Sequence, residues 1–346
     1  MKLKYIKIFA IVLILVFAAN ISYSGPRKKI GTSAAPELLI PVGSIGTALS
    51  GSNLSTISGV DAIYWNPAGL SDLEGKNAEV IFSHSTYIAD MKLEYLAAGA
   101  KLGSIGNIGV SIKTLNIGEI METSELQPEG TGNLIKPKYI IANVGFARSM
   151  TDRIKFGTNV KIISEDVANV QATGFAFDFG IQYIGGTSGL SFGIAIKNLG
   201  PSMTFDGAGL DRSVTLTNGN TYTERVILQD YDLPTSLEIG IGYNFRITDK
   251  MNLNLFGAFT NQSFTRDEFK FGLEYNFAKM FYIRGAASVT TDDYEKGGDY
   301  LFGPTFGAGL KYPFGKMEVG FDYAYRVINE SGFDATNQFF TLHLGF

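Results

Sequence analysis

Residues that could carry out chemistry are few and scattered in this sequence. Of 346 residues none is cysteine, and the two histidines, His84 and His343, lie near opposite ends of the chain. A serine nucleophile needs a base and an orienting acid that converge on it, and the residues around His84 show no such arrangement. Glycine-rich nucleotide loops and histidine metal motifs are also missing from the sequence. The sequence therefore predicts no catalytic residue, no metal site and no cofactor, and a protein that is not an enzyme.

Charged side chains recur at alternate positions, opposite large apolar ones. In residues 237–246, Leu, Ile, Tyr and Phe occupy one face, whereas Glu, Gly, Asn and Arg occupy the other. Charges enclosed in a lumen must be paired or hydrated. We therefore expect these side chains either to form salt bridges along a barrel wall or to line a polar conduit. The charged residues predicted to face the lumen are Lys155, Lys161, Asp178, Glu238, Arg246, Lys270, Glu274, Arg284, Glu318, Asp322 and Arg326.

The same alternation, with a period of two residues, recurs from about residue 78 onward. The runs are about ten residues long, the length at which a tilted strand crosses a membrane. About fourteen such strands can be counted, and the long links between them (117–137, 199–233, 291–301 and 329–336) all follow odd-numbered strands. A soluble β-sandwich also alternates, but uniformly aromatic-rich outer faces favour contact with lipid. The sequence predicts an all-β fold, a transmembrane antiparallel β-barrel of about 14 strands at 78–346.

The N-terminus has the features of an export signal. Three lysines precede an apolar run at 8–19, and the small residues Ser22 and Ser24 stand at positions −3 and −1 of a cleavage site after Ser24. This run is shorter than the roughly 20 residues of a membrane-spanning helix, although a membrane anchor is the alternative. We expect a signal peptide at 1–24, cleaved on export by the Sec pathway, and a location in the bacterial outer membrane. Phe346 ends an amphipathic strand, as in the terminal signal of outer-membrane barrels, and the net charge of −4 argues against nucleic-acid binding.

Residues 25–77 are too apolar for a free tail and contain the sequence DAIYWNPAGL, which includes the single tryptophan of the chain. The Asn-Pro pair predicts a turn. A barrel of this size has a lumen that needs filling, so we expect the segment to form an N-terminal plug or hatch inside it. A ligand-stacking role for the tryptophan is the alternative. The residues assigned to this motif are Gly43, Gly46, Gly51, Asp61, Tyr64, Trp65, Asn66, Pro67 and Gly69.

Two stretches, APELLIPVGSIGTALSG and GVDAIYWNPAGL, carry a resemblance over about residues 34–72. They are similar to the N-terminal signature of the PorV/PorQ family of outer-membrane proteins. That family is related to FadL-type long-chain fatty-acid transporters, which share an Asn-Pro-Ala-type motif, a fourteen-stranded barrel and an N-terminal hatch. The resemblance implies a barrel in outer-membrane lipid, with two alternative functions.

The first function implied by the resemblance belongs to type IX secretion. The protein would bind or shuttle exported cargo through the cargo's C-terminal domains, together with translocon or attachment-complex subunits. The alternative is FadL-like transport of hydrophobic small molecules such as fatty acids, with the ligand in the lumen. A shuttle needs exposed apolar residues on the loop 199–233, for which the candidates are Met203, Phe205, Tyr222 and Val226. A transporter needs an apolar pocket inside the barrel.

Overall fold

The structure, a computed structural model, describes residues 31–290, 301–329 and 337–346. The predicted signal peptide at 1–24 and most of the links predicted at 291–301 and 329–336 lie outside these residues. No helix within the described ranges has the length and apolarity to cross a membrane.

Fourteen antiparallel strands form a closed barrel, which confirms the predicted fold. Each strand pairs with the strand that follows it in the sequence. The first strand pairs with the last and so closes the barrel, with Phe82 opposite Leu342. The strands are β1 Ala78–Thr86, β2 Lys92–Lys101, β3 Asn107–Asn116, β4 Lys138–Ser149, β5 Ile154–Val167, β6 Val170–Ile184, β7 Leu190–Leu199, β8 Ser236–Thr248, β9 Met251–Gln262, β10 Glu268–Phe277, β11 Phe281–Thr290, β12 Phe302–Phe314, β13 Met317–Ile328 and β14 Asn337–Gly345.

The wall of the barrel is apolar outside and polar inside. In β6 the outward side chains of Phe175, Phe177 and Phe179 are exposed, whereas Asp178 and Gln182 are fully buried. This is the reverse of a soluble protein, where large apolar side chains leave water. Such an outer surface is suited to contact with lipid hydrocarbon.

The links differ between the two ends of the barrel. One end has short turns, such as the pair of residues between β8 and β9. The other end carries the longer links, two of which form small hairpins: Ile120–Met121 with Leu134–Ile135, and Asp211–Thr215 with Thr221–Arg225. We refer to these as the turn end and the loop end.

The helices of the described chain are all short. Two α-helices, α1 Ser44–Ala48 and α2 Ala62–Trp65, precede the first strand. Single 3₁₀ turns span Pro36–Leu39, Pro67–Ser71, Ile88–Asp90, Gly186–Ser188 and Ala208–Leu210.

Residues 31–77, called here the N-terminal segment, lie in the lumen. Their hydrogen bonds reach inward side chains on separate parts of the wall, including Asn107 on β3, Gln182 on β6 and Thr341 on β14. Apolar side chains of the segment also pack on inward-facing Ile81 of β1 and Leu93 of β2. The wall and the segment therefore share one interior, partly polar and partly apolar.

Candidate functional site

Trp65 lies at the centre of the N-terminal segment, where the two stretches of the sequence signature meet. Its indole Nε1 donates a hydrogen bond to the carbonyl oxygen of Val42 at 3.1 Å. Gly46 and Gly51 lie against its ring so closely that a Cβ at Gly46 would be 2.2 Å from the ring and one at Gly51 would be 2.6 Å from it. Gly51 also has a φ of +73°, which favours glycine. The glycine spacing is therefore explained by contact with this indole.

Asn66 and Pro67 join the segment to the wall. The Asn66 amide Nδ2 donates to the carbonyl oxygens of Leu54 at 3.0 Å and Ile181 at 3.3 Å, and its Oδ1 accepts from the backbone N–H of Ala68. Pro67 occupies the first turn of the following 3₁₀ helix, where its missing N–H costs nothing. The Asn-Pro pair thus fixes a buried turn, with Asn66 fully buried.

Tyr64 and Gly69 complete the motif. The Tyr64 hydroxyl donates to the carbonyl oxygen of Ile40 at 2.9 Å, and a Cβ at Gly69 would lie 2.0 Å from the carbonyl oxygen of Ile57. The structure places all nine residues of the predicted motif in the N-terminal segment, buried or half-buried.

A cavity of about 330 Å³ lies between the N-terminal segment and the wall, toward the loop end. Its apolar and aromatic lining includes Leu38, Leu39, Ile40, Tyr64, Trp65 and Phe302. Its charged lining consists of Lys161, Lys197, Arg266, Lys270, Arg326 and Glu268. We call this the larger cavity. Its lining combines an apolar surface with five cationic side chains and one carboxylate.

The lysines of the larger cavity take part in ion pairs with the wall. The pairs are Lys161–Asp178 at 2.7 Å, Lys197–Glu238 at 2.6 Å and Lys270–Glu268 at 3.2 Å. The Lys197 Nζ also lies 5.1 Å from the Tyr64 ring centroid and 5.6 Å from that of Trp65, within cation–π range. Lys197 therefore places a positive charge directly beside the aromatic surface of the cavity.

A second cavity of about 180 Å³, the smaller cavity, lies toward the turn end. Its lining is mainly charged and polar, and includes Asp61, Glu74, Glu79, Arg284, Lys311 and His343. Glu74 pairs with Lys311 at 2.9 Å. Burial raises the pKa of Asp61 to about 6, although the neighbouring His343 acts in the opposite direction.

Residues 44–51, called here the barrier, separate the two cavities. Thr47 and Ser50 line the larger cavity, whereas Ile45 and Leu49 line the smaller one. The barrier is hydrogen-bonded to the wall at both ends. The backbone N–H of Ser44 donates to Thr341 Oγ1 at 2.8 Å, and the Ser50 hydroxyl lies 3.0 Å from that of Thr305. These eight residues thus contribute side chains to both cavities.

Ten of the eleven charged residues predicted to face the lumen are buried or half-buried in the structure, and Arg246 is exposed near the turn end of β8. Arg284 links two of the others, because its Nε lies 2.7 Å from Glu274 Oε2 and its NH1 lies 2.5 Å from Asp322 Oδ1. Inward charges missing from that prediction include Lys113, Glu165, Lys197, Lys311, Glu79 and His343. Each falls on the inward side of its strand's alternation, which is the signal that could have identified it.

The loop between β7 and β8 differs from the prediction of an exposed apolar surface. Tyr222 is exposed, but Met203 is 2% exposed, and Phe205 is half-buried beside it. The backbone of Met203 pairs with that of Tyr231, which turns its side chain toward the glycine at position 174 in β6. Val226 is half-buried as well, so of the four candidates for an exposed apolar surface, Tyr222 is exposed and the expectation is wrong for Met203, Phe205 and Val226.

The barrel resembles solved outer-membrane transporters. The toluene transporter TodX of Pseudomonas putida superposes with a TM-score of 0.55 at 13% identity, over 88% of this chain and 96% of that one. The CymD monoaromatic hydrocarbon channel and a Pseudomonas aeruginosa FadL homologue each give a TM-score of 0.53 at 11% identity, over 89% of this chain and 98% of theirs. At these identities the likeness establishes the fold, that of the FadL-type barrels.

Sequence comparisons add no family assignment. No protein-family model matches the chain, and no curated protein matches it. The resemblance to the PorV/PorQ family therefore stays a prediction.

Proposed function

We propose that this protein is an outer-membrane transporter for hydrophobic small molecules that carry an anionic group, with fatty acids as the expected class. The observation that carries the proposal is the larger cavity, whose apolar surface lies beside the Lys197 ammonium. Its volume is within the usual range for small-molecule sites. The structural likeness to a toluene transporter and a hydrocarbon channel supports a hydrophobic cargo.

In this proposal the N-terminal segment acts as a hatch. A hydrocarbon chain would lie against Leu38, Leu39 and Trp65, while an anionic head would approach Lys197 or Lys161. Onward passage requires displacement of the barrier, because it divides the larger cavity from the smaller one.

Ligand binding to the purified barrel in detergent tests the proposal, with Trp65 emission as the readout. A long-chain fatty acid and the alcohol of the same length differ only in the charged head. We expect the acid to bind about tenfold more tightly, because a charge-assisted hydrogen bond contributes about 1.5–3 kcal/mol. Equal affinities, or no binding of either, would refute the proposal.

A paired substitution locates the effect. The double variant Lys197→Met with Glu238→Gln removes both members of an ion pair, so that no buried charge is left without a partner. We expect it to bind the acid and the alcohol equally. Lys250→Met, in the exposed turn between β8 and β9, is the matched control and should keep the preference for the acid.

The secretion-associated function has less support. A cargo shuttle would need a surface for a protein partner, and three of its four candidate residues on the loop after β7 are buried or half-buried. The transporter alternative requires an apolar surface in the lumen, and the apolar part of the lining of the larger cavity supports it.

A further inference from the structure

A single histidine connects the N-terminal segment to the barrel wall at the smaller cavity. His343 Nδ1 lies 3.5 Å from Asp61 Oδ2, and its Nε2 lies 3.2 Å from Asp322 Oδ2. Asp61 belongs to the segment, whereas His343 is on β14 and Asp322 on β13. All three side chains are at most 5% exposed. The imidazole thus lies between two buried carboxylates, one on the N-terminal segment and one on the wall.

The other charged groups around the smaller cavity have partners of their own. They come from the segment and from β1, β10, β11, β12 and β13, and form the pairs Glu74–Lys311 at 2.9 Å, Glu79–Lys76 at 3.6 Å, Glu274–Arg284 at 2.7 Å and Asp322–Arg284 at 2.5 Å. Among the described residues, His343 is the one basic group in ion-pair contact with Asp61. The charge on this imidazole therefore decides whether the Asp61 carboxylate has a counter-ion.

Asp61 is directly coupled to the barrier. It immediately precedes α2, which ends at Trp65, and a Cβ at Gly43 would lie 2.7 Å from its Oδ1. Trp65 in turn supports Gly46 and Gly51 of the barrier. Asp61 and Trp65 therefore flank one short helical turn, with Asp61 against Gly43, the residue before the barrier, and Trp65 against two glycines within it.

We propose that His343 is a proton-operated latch, which in its protonated form holds Asp61, and with it the N-terminal segment, against the barrel wall. Loss of the proton leaves the buried Asp61 carboxylate facing a neutral ring, which is unfavourable unless the carboxylate gains water. Asp61 and His343 both line the smaller cavity, which provides room for that water. The segment is therefore expected to loosen as the pH rises. The latch itself is a property of the resting barrel, and only its role in transport rests on the proposed function.

The sequence supplies both a fluorescent reporter for the N-terminal segment and a control histidine. Trp65 is the single tryptophan, so quenching of its emission by acrylamide measures how open the segment is. His84, the other histidine, is on β1 and pairs with Glu94 on the outer face of the barrel. His84→Gln is thus the matched control for His343→Gln.

Quenching is measured on the full barrel in detergent from about pH 6 to about pH 10, where histidine deprotonates. We expect the quenching constant to rise by about twofold or more across this range in the native protein and in His84→Gln. In His343→Gln, and independently in Asp61→Asn, the rise should be lost. Heat-modifiable gel migration shows whether each variant has folded.

Two results would overturn the latch. One is a flat quenching profile in the native barrel, and the other is a rise that persists unchanged in folded His343→Gln and Asp61→Asn. Neither measurement uses a ligand, so failure of the latch leaves the fatty-acid binding experiment untouched. Conversely, absence of ligand binding would not alter the quenching profile.

Discussion

Replacing Gly46 with alanine is expected to destabilise the protein, although the same substitution usually stabilises a helix. In the interior of an ordinary helix, Gly→Ala stabilises by about 1 kcal/mol. Gly46 lies within α1, but its missing side chain is the space that Trp65 occupies. We therefore expect Gly46→Ala to loosen the N-terminal segment.

The magnitude follows from the contact distances. An alanine Cβ would lie 2.2 Å from both Cε2 and Nε1 of Trp65, whereas ordinary carbon contacts are about 3.5–4.0 Å. The indole must therefore retreat by more than about 1 Å. Overpacking of this kind costs about 1–3 kcal/mol, and loss of the Val42 hydrogen bond adds about 1 kcal/mol. After subtracting the helix gain, the segment is destabilised by about 1–3 kcal/mol.

Urea titration followed by Trp65 emission measures this effect, since the indole reports the segment and not the wall. Gly46→Ala should lower the midpoint and shift the native emission to the red. Gly285→Ala on β11 is the matched control, because its added Cβ would be 3.8 Å from its nearest neighbours. It should leave both values unchanged. A midpoint that rises in Gly46→Ala, with native emission, would refute the packing argument.

Three further substitutions test the buried contacts. Asn66→Ala removes three buried hydrogen bonds and should destabilise the N-terminal segment by about 2–4 kcal/mol in the same urea titration. Arg284→Met removes the guanidinium shared by buried Asp322 and half-buried Glu274 and should cost about 3–5 kcal/mol of barrel stability, measured by heat-modifiable gel migration. Lys311 holds the pKa of Glu74 down to about 2 against the opposing effect of burial, so this ion pair should be lost as pH falls from about 4.5 to about 2. Glu74→Gln should lack that acid-sensitive step in Trp65 emission.

Each of these three predictions has a result that would contradict it. An unchanged urea midpoint in Asn66→Ala would mean that the turn is held by packing alone. Native heat resistance in Arg284→Met would show that water already hydrates the two carboxylates. An acid step that persists unchanged in Glu74→Gln would assign it to another carboxylate.

The barrel could be predicted from the sequence because its wall repeats one physical rule. In β6 each residue faces either lipid or lumen, and the two faces differ sharply in polarity. The rule weakens where the N-terminal segment packs on the wall. There the inward positions of β1 and β2, such as Ile81, Leu93 and Tyr95, are apolar as well, so both faces look alike in the sequence. The same rule predicts that Lys197 and His343 face the lumen, because both continue the inward alternation of their strands.

The conformation of the N-terminal segment could not be predicted in the same way. Its hydrogen bonds join residues far apart in the chain, as in Gln182 with Ile57 or Ser44 with Thr341. Such contacts leave no period in the sequence. The glycines at 43, 46 and 51 predicted close packing, but their partners, Asp61 and Trp65, are defined only by the fold.

The seam between β1 and β14 has a consequence for the order of assembly. Backbone hydrogen bonds there join Asn77 and Ala78 to Phe346, so the two ends of the wall's chain meet at one place. A contact between residues so distant in sequence forms late, because the entropy of closing the intervening loop must be overcome first. The N-terminal segment leads directly into β1, one edge of this seam, and it fills the space that the seam encloses. Its contacts with β14, such as the hydrogen bond between Ser44 and Thr341, are completed when the last strand docks, so closure of the wall and final packing of the segment are coupled.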